Sequence, residues 1–250
     1  MRHLAIQILV LALLALAAGG CGDDRLPRMR VLQVDTTAFV LQAGSRPARS
    51  VAPVRASLTE ATASVAPPPI QVPNVGSVAI GAPNAGSLLN GLQLPETGPD
   101  WVTWDAITHS SPNRPERRWA TDRLLAFLIG VLRDYRQANP DAPPVLVGDL
   151  SRPGGGRFGS DYGGLGHASH QNGLDVDVQY PRADRALRAP ERVEDVDRTL
   201  AQDLVNRFVA AGAQFAFVGL NVGLGGPPNV VQAIPHHDDH VHVRIANARR

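Results

Sequence analysis

Six of the eight histidines in this 250-residue chain fall in two short segments, residues 167–170 and 236–242. Packing gives no reason to crowd imidazoles in that way. A divalent cation does, because borderline-soft metals take neutral imidazole nitrogen and carboxylate oxygen as ligands. The first segment continues as His167-Ala-Ser-His170-Gln-Asn-Gly-Leu-Asp175-Val-Asp177, and the second contains His237-Asp-Asp-His240-Val-His242. The one cysteine, Cys21, lies far from both. Three protein ligands with an open fourth position is the arrangement of a catalytic zinc, whereas structural zinc is closed by four ligands.

Two alternating stretches must position these groups. Leu174 to Tyr180 reads as a half-buried strand, with Leu174, Val176, Val178 and Tyr180 toward the core and Asp175, Asp177 and Gln179 on the other face. His240 to Ile245 alternates too, so His240, His242 and Arg244 share one face. Two such strands side by side bring their polar faces to one ion. His170 enters from the preceding loop, where Gly173 lets the backbone turn.

Three blocks, in order, resemble the LAS metallopeptidases and, more closely, the penicillin-insensitive murein endopeptidase family. They are Gly148-Asp-Leu-Ser151, the Ser169–Asp177 stretch and His237 to Arg244. A lone His-x-His is common; three ordered blocks across residues 100–250 are specific. The resemblance implies Zn2+ held by His170, Asp177 and His242. It implies His240 as the catalytic histidine and His237 as a second active-site histidine. His167 matches a position beside the metal that sometimes binds a second ion. Zinc lowers the pKa of its water to roughly 7, and His240 is the expected general base. His237 is expected on the oxyanion or the substrate carboxylate. Asp175 or Asp149 is expected to orient a ligand imidazole. Ser151 and Arg244 are expected substrate contacts. The implied substrate is a peptidoglycan stem peptide, cut at the D-alanyl–meso-diaminopimelyl cross-link. Two rivals are a zinc D,D-carboxypeptidase and a non-catalytic lipoprotein that binds the cell wall.

The fold expected is α+β, a small, mainly antiparallel sheet flanked by helices. Helices are expected over 115–139 and 195–211, and strands over 145–150, 174–180, 215–220 and 240–245. The Gly-rich stretch 152–166 is expected to be a mobile flap. Residues 1–20 read as a lipoprotein signal peptide ending at small residues before Cys21, whose lipidation implies a membrane anchor and a periplasmic location. Residues 21–97, rich in Pro, Ala and Gly, read as a largely disordered tether, and 98–250 as the zinc metallopeptidase domain. A formal net charge of +1, with no basic stripe, argues against nucleic acid as a partner.

Overall fold

The computed structural model describes residues 70–247 except Leu165, together with the backbone of Arg30–Val31. The expected signal segment, Cys21 and nearly all of the expected tether before residue 70 lie outside the described residues. Among the described residues no helix is long and apolar enough to cross a membrane.

Eleven strands and two α-helices make up the described chain. They are β1 (Arg30–Val31), β2 (Val78–Ala82), β3 (Ala85–Leu89), β4 (Leu92–Gln93), β5 (Trp101–Thr103), β6 (Trp119–Ala120), α1 (Asp122–Ala138), β7 (Val145–Val147), β8 (Asp175–Gln179), α2 (Arg198–Ala210), β9 (Phe215–Gly219), β10 (Val231–Ile234) and β11 (His240–Arg244). The main sheet has six strands in the order β10-β9-β11-β8-β7-β5. Its central pairs are antiparallel, but β10–β9 and β5–β7 are parallel. The class is α+β as expected, but the sheet is larger and mixed rather than small and mainly antiparallel. The outer strands run parallel because β5 reaches β7 only after β6 and α1, and β9 reaches β10 through an irregular loop rather than a hairpin, and periodicity carries no trace of that.

The expected helix 115–139 begins later. Pro115–Arg117 forms a single 3-10 turn, and Trp119–Ala120 is extended, paired with β4. Only then does Thr121 cap α1, its hydroxyl accepting from the Leu124 amide. Leu124, Leu125, Leu128, Leu132 and Tyr135 bury one face, and Asn139-Pro140 ends the helix. The second helix starts at Arg198 for the same reason: Asp197 accepts from Leu200 N, and residues 193–195 form a separate 3-10 turn. Leu204 and Phe208 of α2 are fully buried, and Phe208 stacks on Phe127 of α1 at 5.9 Å. Truncating such a leucine to alanine costs about 2–5 kcal/mol.

The folded body begins well before residue 98. Strands β2 and β3 pair as a hairpin, and Leu88, Leu92 and Leu94 are buried. Asp122 at the start of α1 accepts from Val75 N, Ser77 N and Ser77 Oγ. Small residues and turns let this segment pass for linker in composition, yet its few leucines are core. The hairpin also ties down the Gly-rich stretch expected as a flap. Leu88 N donates to Gly154 O, and Gly156 N donates to Gln171 O.

Candidate metal centre

Strand register builds the centre. In the antiparallel pair β11–β8, His242 stands directly opposite Asp177. Directly opposed residues point to the same face of the sheet. One pairing therefore delivers an imidazole and a carboxylate side by side. His170 arrives from the loop before β8 in a left-handed backbone conformation, φ 65°. Gly173, φ 74°, then sends the chain into the strand; a Cβ there would lie 2.8 Å from the Leu88 side chain. Strand β8 is not half-buried: Asp175, Asp177 and Gln179 are as enclosed as Val176 and Val178. The histidines and the hairpin-braced loops cover its second face.

Three ligand atoms form a nearly regular triangle. His170 Nε2 lies 3.2 Å from Asp177 Oδ1, His242 Nδ1 lies 3.3 Å from the same oxygen, and the two nitrogens are 3.3 Å apart. Corners of a tetrahedron with metal–ligand bonds of about 2.0 Å stand about 3.3 Å apart. The three atoms thus match one face of a tetrahedral site. Asp177 Oδ1 is buried and accepts no hydrogen bond among the described residues. A buried carboxylate oxygen left without a donor is costly unless a cation satisfies it. His167, His170 and Asp177 also offer ligand atoms within 4.8 Å of one another. The triangle with His242 is the tighter fit to one ion. His167 faces the other carboxylate oxygen, with Nδ1 3.7 Å from Oδ2.

Each imidazole has its far nitrogen tied down. His170 Nδ1 donates to Leu150 O at 2.7 Å, leaving Nε2 a lone pair toward the triangle. His242 Nε2 donates to Asp175 Oδ1 at 2.9 Å, so Nδ1 is the nitrogen turned toward the triangle. His167 Nε2 donates to Asp149 Oδ2 at 2.7 Å. His240 Nδ1 donates to Asp239 Oδ1 at 2.7 Å, and its Nε2 lies 3.7 Å from Asp177 Oδ1. His237 Nδ1 donates to Pro235 O at 2.7 Å. Outer partners of this kind fix tautomer and ring orientation in metal sites. For His237 they also restrict its chemistry: the neutral ring held this way accepts at Nε2 and has no proton there for an oxyanion.

Charge follows the partners. Burial pushes His170 below the ordinary histidine range, since its far nitrogen meets only a neutral carbonyl. Burial also opposes charge on His242, but Asp175 and Asp177 outweigh it and raise its pKa to about 9. Burial would raise Asp175; His242, His170 and Arg244 hold it down at about 2. Asp177 is likewise held well below the carboxylate range by His170 and His240 despite burial. His240 is raised because Asp177 and Asp239 overcome its burial, and His237 is lowered chiefly by burial.

The remaining expected residues divide. Asp175 and Asp149 both orient imidazoles, His242 and His167 respectively. Asp239 joins them, holding His240. Arg244 is not free: its Nε donates to Asp175 Oδ1 at 2.5 Å, so it braces the acid behind His242. Ser151 is fully buried, its backbone paired with Trp119. Two contributors escaped the sequence entirely. Arg117 and Asn113, both buried, hold Asp149; Arg117 Nε donates to Oδ1 at 2.7 Å and Asn113 Nδ2 to the same oxygen at 3.0 Å. Nothing in their local sequence distinguishes them from surface residues, and Arg117 sat inside the expected helix.

Comparison with known proteins identifies the family. The family model described as penicillin-insensitive murein endopeptidase matches residues 79–212, just over half of the chain. A penicillin-insensitive murein endopeptidase of Yersinia enterocolitica is 38% identical over 102 residues, covering 40% of this chain and 31% of that protein. One from Escherichia coli O157:H7 is 33% identical over 122 residues, covering 47% of this chain and 41% of that protein. The chain thus spans well under two thirds of these relatives' length. The family match stops before His237, and the pairing of β11 with β8 is what joins the last histidine block to it. With the matched stretch, the three motif blocks and the ligand triangle in agreement, the chain belongs to the penicillin-insensitive murein endopeptidase family, within the LAS-type class its sequence resembles.

Proposed function

We propose that this chain is a zinc-dependent endopeptidase that hydrolyses D-alanyl–meso-diaminopimelyl cross-links of bacterial peptidoglycan. The observation that carries the reading is the triangle of His170 Nε2, His242 Nδ1 and Asp177 Oδ1, the last a buried oxygen with no hydrogen-bond donor among the described residues. Nitrogen and carboxylate donors, with no cysteine among the described residues, suit an open catalytic zinc site. Zinc held there supplies Lewis acidity to water and to the scissile carbonyl.

The chain's own residues supply the proton handling. His240 presents Nε2 toward the centre while Asp239 holds Nδ1 and stabilises the protonated ring. It takes the proton from the attacking water and passes it to the departing amine. His237, neutral and accepting at Nε2, receives a hydrogen bond from the substrate's backbone N–H or from water. His167, held by Asp149, stands beside the far oxygen of Asp177. Lipidation of Cys21 would hold the enzyme at a membrane facing the periplasm, with stem peptides as its partner.

Metal analysis of the purified chain, combined with mass spectrometry of digested sacculi, tests the reading. One zinc per chain and a chelator-sensitive loss of cross-linked dimers are expected. Shortening of uncrosslinked pentapeptides with dimers intact would mean a carboxypeptidase. Zinc binding with an unchanged muropeptide profile would mean a binding protein.

A further inference from the structure

Phe158 lies in the glycine-rich stretch, is 1% exposed, and stands outside the main hydrophobic core. Its ring meets Tyr162 of the same turn, two imidazoles and a guanidinium. Its centroid lies 4.9 Å from that of His167 and 6.4 Å from that of His170, the latter edge-on at 87°. The guanidinium carbon of Arg117 stands over the ring at 4.6 Å, within cation–π range. Phe158 is thus buried against the metal centre rather than against aliphatic core.

Arg117 holds this ring and two other groups. Its Nε and Nη2 donate to the two oxygens of Asp149, the acid behind His167, and its Nη1 donates to Tyr162 O at 2.7 Å. A planar fork with a flat face can serve an acid, a backbone carbonyl and a ring together; a lysine ammonium, a point donor, cannot. Backbone contacts close the turn. His167 N donates to Phe158 O at 2.7 Å, and a Cβ on Gly166 would lie 2.4 Å from the Gly159 carbonyl carbon. A shift of the Phe158–Tyr162 turn therefore shifts His167. The His170 ring has one hydrogen bond behind it, Nδ1 to Leu150 O. One bond sets a direction and leaves the ring able to rock about it. The Phe158 edge, and the His167 ring at 4.3 Å, close off that motion.

We propose that Arg117 and Phe158 are positioning residues for the metal: Arg117 fastens the Phe158–Tyr162 turn, and the Phe158 ring braces His170 and His167 from behind. Neither touches the ligand triangle, yet together they set how tightly and how long the ion is held. The proposal rests on the zinc reading above and does not depend on which bond is cut.

The test uses the full chain and zinc alone. Affinity is read by competition with a chromophoric chelator, and release is followed after adding excess chelator. Phe158→Leu and Arg117→Lys should each weaken zinc about tenfold or more, the usual effect of losing an outer support, and should speed its release. The double variant should be little worse than the weaker-binding single one, because both changes loosen the same turn. Leu204→Ala, in the core of α2, is the control for stability. It should lower the urea midpoint of the metal-free chain and leave zinc affinity unchanged. If Arg117→Lys does not fold, Phe158→Leu decides the question alone. Wild-type zinc affinity in either folded variant, or effects that multiply in the double variant, would overturn the proposal while leaving the zinc site standing. A wild-type chain that takes up no zinc would overturn the zinc reading, and this proposal with it.

Discussion

His170 and His242 sit at one end of a gradient, and His237 and His240 at the other. The first pair is buried, at 0% and 7% exposure, and each ring is locked by a partner behind it. The second pair stands half-buried, each ring held at Nδ1 with Nε2 left available. All four are histidines within two short words of sequence. On the proposed roles, what separates a ligand from a group that handles protons is the depth of each ring and what stands behind it. A ligand must hold its lone pair in one place and keep water out. A proton carrier must meet the substrate, so it stays near the surface with a carboxylate or carbonyl as brace.

That contrast breaks most decisively at the ligands. His242→Ala should lose zinc and turnover together, and a metal-free variant with full activity, checked by metal analysis and dimer hydrolysis, would undo the ligand assignment. His240→Ala should keep its zinc and lose about 10²–10⁴-fold in kcat, the usual contribution of a general base; an unchanged kcat would move that role to another group. Asp175→Ala tests the brace behind His242. Zinc affinity should fall about 10–100-fold, read by competition with a chelator, while the fold persists.

The smallest effect lies away from the centre, at the junction of the 74–77 segment with α1. Asp122 is lowered from its ordinary value: burial opposes this, but Ser77, Val75 and Arg123 hydrogen bonds prevail. A depressed acid contributes stability above its unfolded pKa of about 3.9 and loses it as pH falls through the folded value. Asp122→Ala should therefore cost about 1–2 kcal/mol at pH 7, and the deficit should shrink as pH drops below about 4, with zinc content unaltered. Urea melts at both pH values check this. An undiminished deficit in acid would show that ionisation of Asp122 plays no part.

Much of the centre was legible in the chain because period-two alternation and ligand chemistry are local signals. Asp177 and His242 fall on strands whose pattern is plain, but alternation leaves Asp175 and His240 as candidates too, and the choice of His170, Asp177 and His242 came from the family resemblance. The helix boundary at Thr121 was not legible, since Trp119 continues the apolar stripe and only pairing with β4 shows that it is extended. The hairpin over 78–89 was missed because Ala, Gly, Ser and Pro make weak strand signals. Arg117 could not be found at all: its role depends on meeting Asp149, 32 residues away.

The residue types alone determined that a metal could be bound and which groups could bind it, because coordination chemistry depends on side-chain identity. Only the tertiary structure decided that His242 stands opposite Asp177, that Arg244 serves Asp175, and that a buried oxygen of Asp177 has no hydrogen-bond donor among the described residues. Those facts depend on strand register and burial, which arise from contacts between segments far apart in the chain. No local pattern encodes them.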